Sequence, residues 1–145
     1  MTASAIDQAG HGAGPDGVAA RLSQYFAGAG GDFAAVYLFG STARGDDKAG
    51  SDIDLAVVCH AQPTPPVARL HAEVAGALER LFERPVEIVD LETAPVDLVH
   101  RILSDGILVH ESDPSKRVAV ETRRRAEYFD LLPILKEYRR ARDVS

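Results

Sequence analysis

The chain has 145 residues, 46% of them hydrophobic and 26% charged, which suits one ordinary domain. Its apolar runs, around 36–39 and 53–59, are strand-sized and fall short of the roughly 18 to 20 residues of a membrane-spanning helix, so no membrane partner is expected. The first 115 residues hold 7 basic and 17 acidic side chains and the last 30 hold 9 and 5. An acidic body with a short basic tail is a poor electrostatic match for long nucleic acid, so direct nucleic-acid binding is not expected either.

The N-terminus has no secretory pattern and Cys59 is the sole cysteine, which places the expected site of action in the cytoplasm and excludes an intrachain disulfide. Residues 1–16 are glycine-rich and poor in apolar side chains, and they read as a disordered leader. From Asp16, suited to capping, Val18, Leu22, Tyr25 and Phe26 recur at helical spacing until the glycines at 28–31. Residues 33–39 and 52–59 have strand composition and should be neighbours. Pro63, Pro65 and Pro66 open a helix through Leu70, Val74, Leu78 and Leu81 that must stop before Pro85.

A third strand is expected at 86–91, a helix at 95–104, a short strand at 107–110 and a long helix at 115–142. In that last helix Tyr128, Leu131, Leu132, Leu135 and Tyr138 form an apolar stripe, read as intrachain core. Pro133 should kink it, and Arg123, Arg124 and Arg125 read as a solvated face. The order of elements indicates an α/β (α+β) domain whose small sheet is flanked by helices.

The chemistry is concentrated in 38–58, LFGSTARGDDKAGSDIDLAVV. Gly40 lets the backbone approach a ligand at a strand end, and Ser41 is placed to cap a short helix, so the turn forms an anion cradle suited to phosphate. Strand alternation sets Asp52 and Asp54 side by side above Ile53, Leu55 and Val57. At about 6 Å and an effective dielectric near 20, two carboxylates repel by about 3 kcal/mol, or about two pKa units, which a divalent cation relieves. All-oxygen donors beside a phosphate cradle favour Mg²⁺.

Glu87 completes a metal site or accepts a proton, and Asp90 reads better as a loop residue; alternation alone leaves open which of them faces Asp52 and Asp54. Arg44 and Lys48 lie between cradle and carboxylates, within reach of triphosphate oxygens, with Arg44 the better candidate. His11, His60, His71, His100 and His110 show no paired metal-ligand spacing, and Cys59 lacks a basic neighbour that would make it reactive.

Gly40-Ser41, ten intervening residues and Asp52-x-Asp54 resemble the signature of the minimal nucleotidyltransferases of the polymerase-β superfamily. The likeness continues through PVEIVDLETAPVDLVHRILSDGILVHESDP. The tail, RRRAEYFDLLPILKEYRR, is similar to the terminal helix of the subgroup that serves as antitoxin adenylyltransferases beside HEPN-domain ribonuclease toxins.

The resemblance implies a nucleotidyltransferase domain over 17–145 with a small mixed sheet and a long C-terminal helix. It implies transfer of AMP from ATP to a tyrosine hydroxyl of a cognate HEPN toxin, with pyrophosphate released through Mg²⁺, in a hetero-oligomer with that toxin. Asp52 and Asp54 match the family's metal ligands and Gly40 and Ser41 its phosphate turn, while Glu87 falls where the family commonly has a third aspartate. The basic, apolar-striped tail is the expected docking end. Two alternatives stand beside this reading: a non-enzymatic antitoxin that masks its toxin, and nucleotidyl transfer to a small molecule such as an aminoglycoside, which so short a chain has little room to enclose.

Overall fold

The structure, a computed structural model, describes residues 15–29, 31–46, 50–60 and 67–144; most of the leader, Lys48 and Pro63, Pro65 and Pro66 lie outside them. In chain order the elements are α1 (Pro15–Ala29), β1 (Phe33–Phe39), α2 (Gly40–Arg44), β2 (Ile53–Cys59), α3 (Val67–Phe82), β3 (Val86–Asp90), α4 (Val96–Asp105), β4 (Ile107–Glu111) and α5 (Pro114–Val144). No helix among the described residues is long and apolar enough to cross a membrane.

The strands form one mixed sheet in the order β3-β2-β1-β4, with β1 antiparallel to β2 and β4, and β2 parallel to β3. A parallel pair needs a long crossover, and α3 supplies it. Strand alternation divides the core in two. Ile53, Leu55 and Val57 pack with Leu22 and Phe26 of α1 and Leu78 of α3 on one face. Ala56, Val58 and Tyr37 pack with Val99 and Ile102 of α4 and Val120 of α5 on the other. Helices therefore cover both faces, and the central strands β1 and β2 are buried on each.

Chain breaks follow local chemistry. Beyond α3, Glu83 takes the left-handed conformation at φ 55°, and the Glu79 carboxylate accepts the Val86 N–H at 3.0 Å, which closes the turn into β3. Gly106 ends α4 where a Cβ would lie 2.5 Å from the Ile102 carbonyl oxygen and 3.2 Å from that of Leu38, so only glycine lets β4 return this closely beside β1. Asp113 accepts the Lys116 N–H at 3.1 Å, with Pro114 at the first helical position of α5.

The long helix corrects two expectations. Arg124 is not on a solvated face: it is 7% exposed and donates to the carbonyls of Glu92, at 3.0 Å, and Ala94. The stretch after β3 makes a tight turn whose carbonyls point inward, and a guanidinium is the side chain able to reach two of them. Nearby, the buried Tyr37 hydroxyl donates to Glu121, which also takes Arg117 at 2.9 Å and Arg125 at 3.1 Å. Burial opposes the charge on Glu121, yet these donors outweigh it and hold its carboxyl below the usual range.

The stripe read as core is the second correction. Only part of it is covered: Tyr128, Leu132 and Leu135 are half-buried, whereas Leu131 is 38% and Tyr138 62% exposed. Tyr128 alone finds an aromatic partner in α4, stacking on His100 at 3.8 Å. The helix continues through Pro133.

Since Arg124 satisfies two backbone carbonyls, Arg124→Ala is expected to cost about 2 kcal/mol, the order of one or two lost charge-assisted hydrogen bonds inside the fold. Thermal unfolding would register this as a fall of several degrees, and an unchanged midpoint would remove Arg124 from the contacts that hold α5 to the sheet.

Candidate active site

β1 delivers the chain to Gly40, whose φ of +78° turns it at once into α2. A Cβ at this position would collide with Asp54 Oδ2, so the glycine serves both the left-handed backbone and the close approach of that carboxylate. The immediate turn corrects the capping role expected of Ser41. The helix starts at Gly40, Phe39 occupies the cap position without a side-chain cap, and Ser41 already lies in the first turn. The first-turn N–H groups therefore have no side-chain partner from the cap position, which is the condition for receiving an anion.

The turn is braced from behind. Thr42 is fully buried; its hydroxyl receives Arg84 Nη2 at 3.0 Å and points to the Asp52 carbonyl at 3.5 Å. Arg84 Nε also donates to the Ser51 carbonyl at 2.8 Å. One guanidinium thus ties the turn to the start of β2. The backbone closes α2 with the Gly45 N–H on the Thr42 carbonyl and the Asp46 N–H on that of Ser41.

Asp54 stands where three strands meet: it pairs with Phe39 across the antiparallel junction and with Glu87 across the parallel one. Partners in register share a face, so Glu87 lies beside Asp54, and Asp90, paired with Val57, belongs to the opposite face. Asp90 builds a turn instead, its carboxylate accepting the Glu92 N–H at 2.8 Å. Asp52 is exposed just before β2 begins. Burial first, then the charges of Glu87 and Asp52, push the Asp54 carboxyl above the usual range, against the opposing pull of Arg44.

A cavity of about 280 Å³ opens onto this junction. Phe39, Gly40, Ser41, Arg44 and Asp54 line one side, and Leu98, Arg101 and Asp105 of α4 also contribute. The α4 residues were not identified from the sequence. Their i, i+3, i+7 spacing, offset from the buried Val99 and Ile102, is a signal that marks a second face of that helix.

The donor set around Asp54 consists of oxygens. Among the described residues no three His, Cys, Asp or Glu side chains close around a single point. An open acidic edge of this kind fits Mg²⁺, which keeps several waters and draws further ligands from substrate phosphates; the mutual repulsion at Asp54 is what a cation would relieve. Elsewhere, burial first and then nearby acids push the Cys59 thiol up to about 11, so it carries no thiolate at neutral pH. His60 contacts the Ser112 hydroxyl at 2.8 Å, but that hydroxyl donates to the Phe33 carbonyl and is held as a structural tie.

No curated protein sequence matches the chain. Solved structures share its fold: a toxin–antitoxin with AMP-PNP (19% identity, 83% of this chain and 97% of that one, TM-score 0.65) and a mutant of the MntA–HpeT toxin–antitoxin (18%, 83% and 97%, 0.66). A third is the tri-AMPylated HEPN toxin of Shewanella oneidensis in complex with its MNT antitoxin (18%, 83% and 94%, 0.60). The polymerase beta nucleotidyltransferase family matches residues 21–115, a stretch that runs from within α1 to the start of α5 and holds the glycine turn, all three carboxylates and the α4 wall, and the chain belongs to that family.

Proposed function

We propose that this protein is an antitoxin adenylyltransferase that moves AMP from ATP to a tyrosine hydroxyl of a HEPN-domain ribonuclease toxin and so neutralises it, in the cytoplasm and in complex with that toxin. The observation that carries the reading is the register pairing of Asp54 with Glu87 at the foot of the Gly40 turn. It is supported by the fold shared with a toxin–antitoxin holding AMP-PNP and with the partner of a tri-AMPylated HEPN toxin.

Asp52 and Asp54, with Glu87 beside them, would hold Mg²⁺, which when bound neutralises charge on the reacting phosphates. Gly40 and Ser41 cradle the polyphosphate through first-turn N–H groups, and Arg44 adds a cation at the same wall. The toxin hydroxyl oxygen attacks the α-phosphorus, the bond to the bridging oxygen of the β-phosphate breaks, and pyrophosphate leaves. Glu87, exposed at the edge of the sheet, takes the hydroxyl proton. The remaining work of the chain is positioning, as expected for phosphoryl and nucleotidyl transfer.

Intact mass of a co-expressed HEPN toxin with this protein, ATP and Mg²⁺ tests the proposal. Added AMP mass on the toxin is the expected result. A second reading, inhibition by binding alone, is favoured by the exposed Phe129, Ile134 and Tyr138. Suppressed toxicity without added mass would establish that reading in place of the first. Added mass on an aminoglycoside but not on the toxin would refute both.

A further inference from the structure

We propose that Arg101 of α4 is a nucleotide-binding residue that holds the polyphosphate of ATP from the wall facing away from the sheet core. The inference rests on the reading of the cavity as an ATP site and assigns it a second cation. α4 packs on the sheet through Val99 and Ile102, with Leu98 partly buried against the same core, while Arg101 is exposed; Leu98, Arg101 and Asp105 line the cavity with Ser41 and Arg44.

The charge balance favours such a group. A nucleoside triphosphate brings several negative charges into a body whose first 115 residues hold 7 basic and 17 acidic side chains. Arg44, the cation already assigned to this wall, shares its charge with the exposed Asp46 at 3.4 Å. Arg101 is exposed, and although Asp105 is one turn further on the same helix, the two form no ion pair among the described residues. Asp97, the other acid of α4, is paired with Arg139 at 3.5 Å. Arg101 thus lines the cavity without a carboxylate partner among the described residues, and a guanidinium fork matches phosphate oxygens. Its neighbours in the cavity lining include Ser41 and Arg44 of the turn read as the polyphosphate cradle, so the phosphates are the part of ATP it would meet.

Calorimetric titration of the full chain with ATP and with AMP, in Mg²⁺, tests this. Arg101→Ala and Arg101→Gln are expected to weaken ATP binding on the order of 10-fold, the scale of one charge-assisted hydrogen bond, and to leave AMP binding within about twofold. Arg101→Lys, which keeps charge but loses the fork, should fall between. The site on α4 is exposed and both replacements are compatible with a helix, so circular dichroism should match the parent. ATP affinity within twofold of the parent in either folded variant would overturn the assignment, as would equal weakening for ATP and AMP. A parent chain that binds ATP and adenylylates the toxin while Arg101→Ala binds it equally well refutes Arg101 alone. A parent chain that binds no ATP refutes the reading of the site.

Discussion

The Asp52→Asn/Asp54→Asn variant is expected to lose AMP transfer by about 10³-fold or more while remaining folded. Its two carboxylates are the negative charge around which a cation and the α-phosphate would assemble, and amides of the same shape cannot replace that charge. The stability effect has the opposite sign. Burial, Glu87 and Asp52 favour the neutral carboxyl of Asp54, so the folded chain keeps that proton to a higher pH than the unfolded chain. The associated stabilisation is complete below the ordinary aspartate range and is lost as pH rises through the elevated folded value. At neutral pH the ionised Asp54 therefore weakens the fold, and Asp54→Asn alone should raise the unfolding midpoint at pH 7 as it removes activity. A folded double variant with full transfer would refute the assignment of the site, and a lower midpoint in Asp54→Asn would refute its electrostatics.

Gly40→Ala is expected to be nearly as damaging from a single methyl group. The new Cβ would occupy the position of Asp54 Oδ2, and the backbone would have to hold alanine at φ +78°. The conformational cost alone is about 1–2 kcal/mol, and displacement of the carboxylate by the order of 1 Å can reduce a rate roughly 100-fold. Transfer assays should show a loss of that order together with a lower melting temperature. A variant with a parental rate would mean that the tight contact between Gly40 and Asp54 is not used in the chemistry.

Much of this was legible along the chain, and the reasons for the gaps are physical. The strands announced themselves by composition, and the proline and glycine positions bracketed the helices to within a few residues. Alternation correctly set Ile53, Leu55 and Val57 on one face of β2. It did not show which acid of β3 shares the face of Asp54, because that depends on the register Asp54–Glu87, a property of pairing rather than of either segment. Arg101 and Asp105 were missed for a related reason: α4 becomes a cavity wall only once Val99 and Ile102 fix its orientation on the sheet. Arg124 and two members of the stripe, Leu131 and Tyr138, were misread because helical periodicity reports a face and not what lies opposite it.

The terminal helix carries one more implication. At 31 residues it is about 46 Å long, and beyond Arg124 none of its residues through Asp143 is buried. Its first part shares in the all-or-none unfolding of the sheet through Arg124 and the Tyr37–Glu121 pair. The part after Phe129, about 22 Å, is held by the half-buried Leu132 and Leu135 and by the exposed Arg139–Asp97 pair, a contact worth at most about 1 kcal/mol, and it contains a proline. An isolated helix of that length is marginal in water. The continuous rod therefore comprises two thermodynamic segments, one that melts with the domain and one that frays on its own, with the boundary set near Phe129.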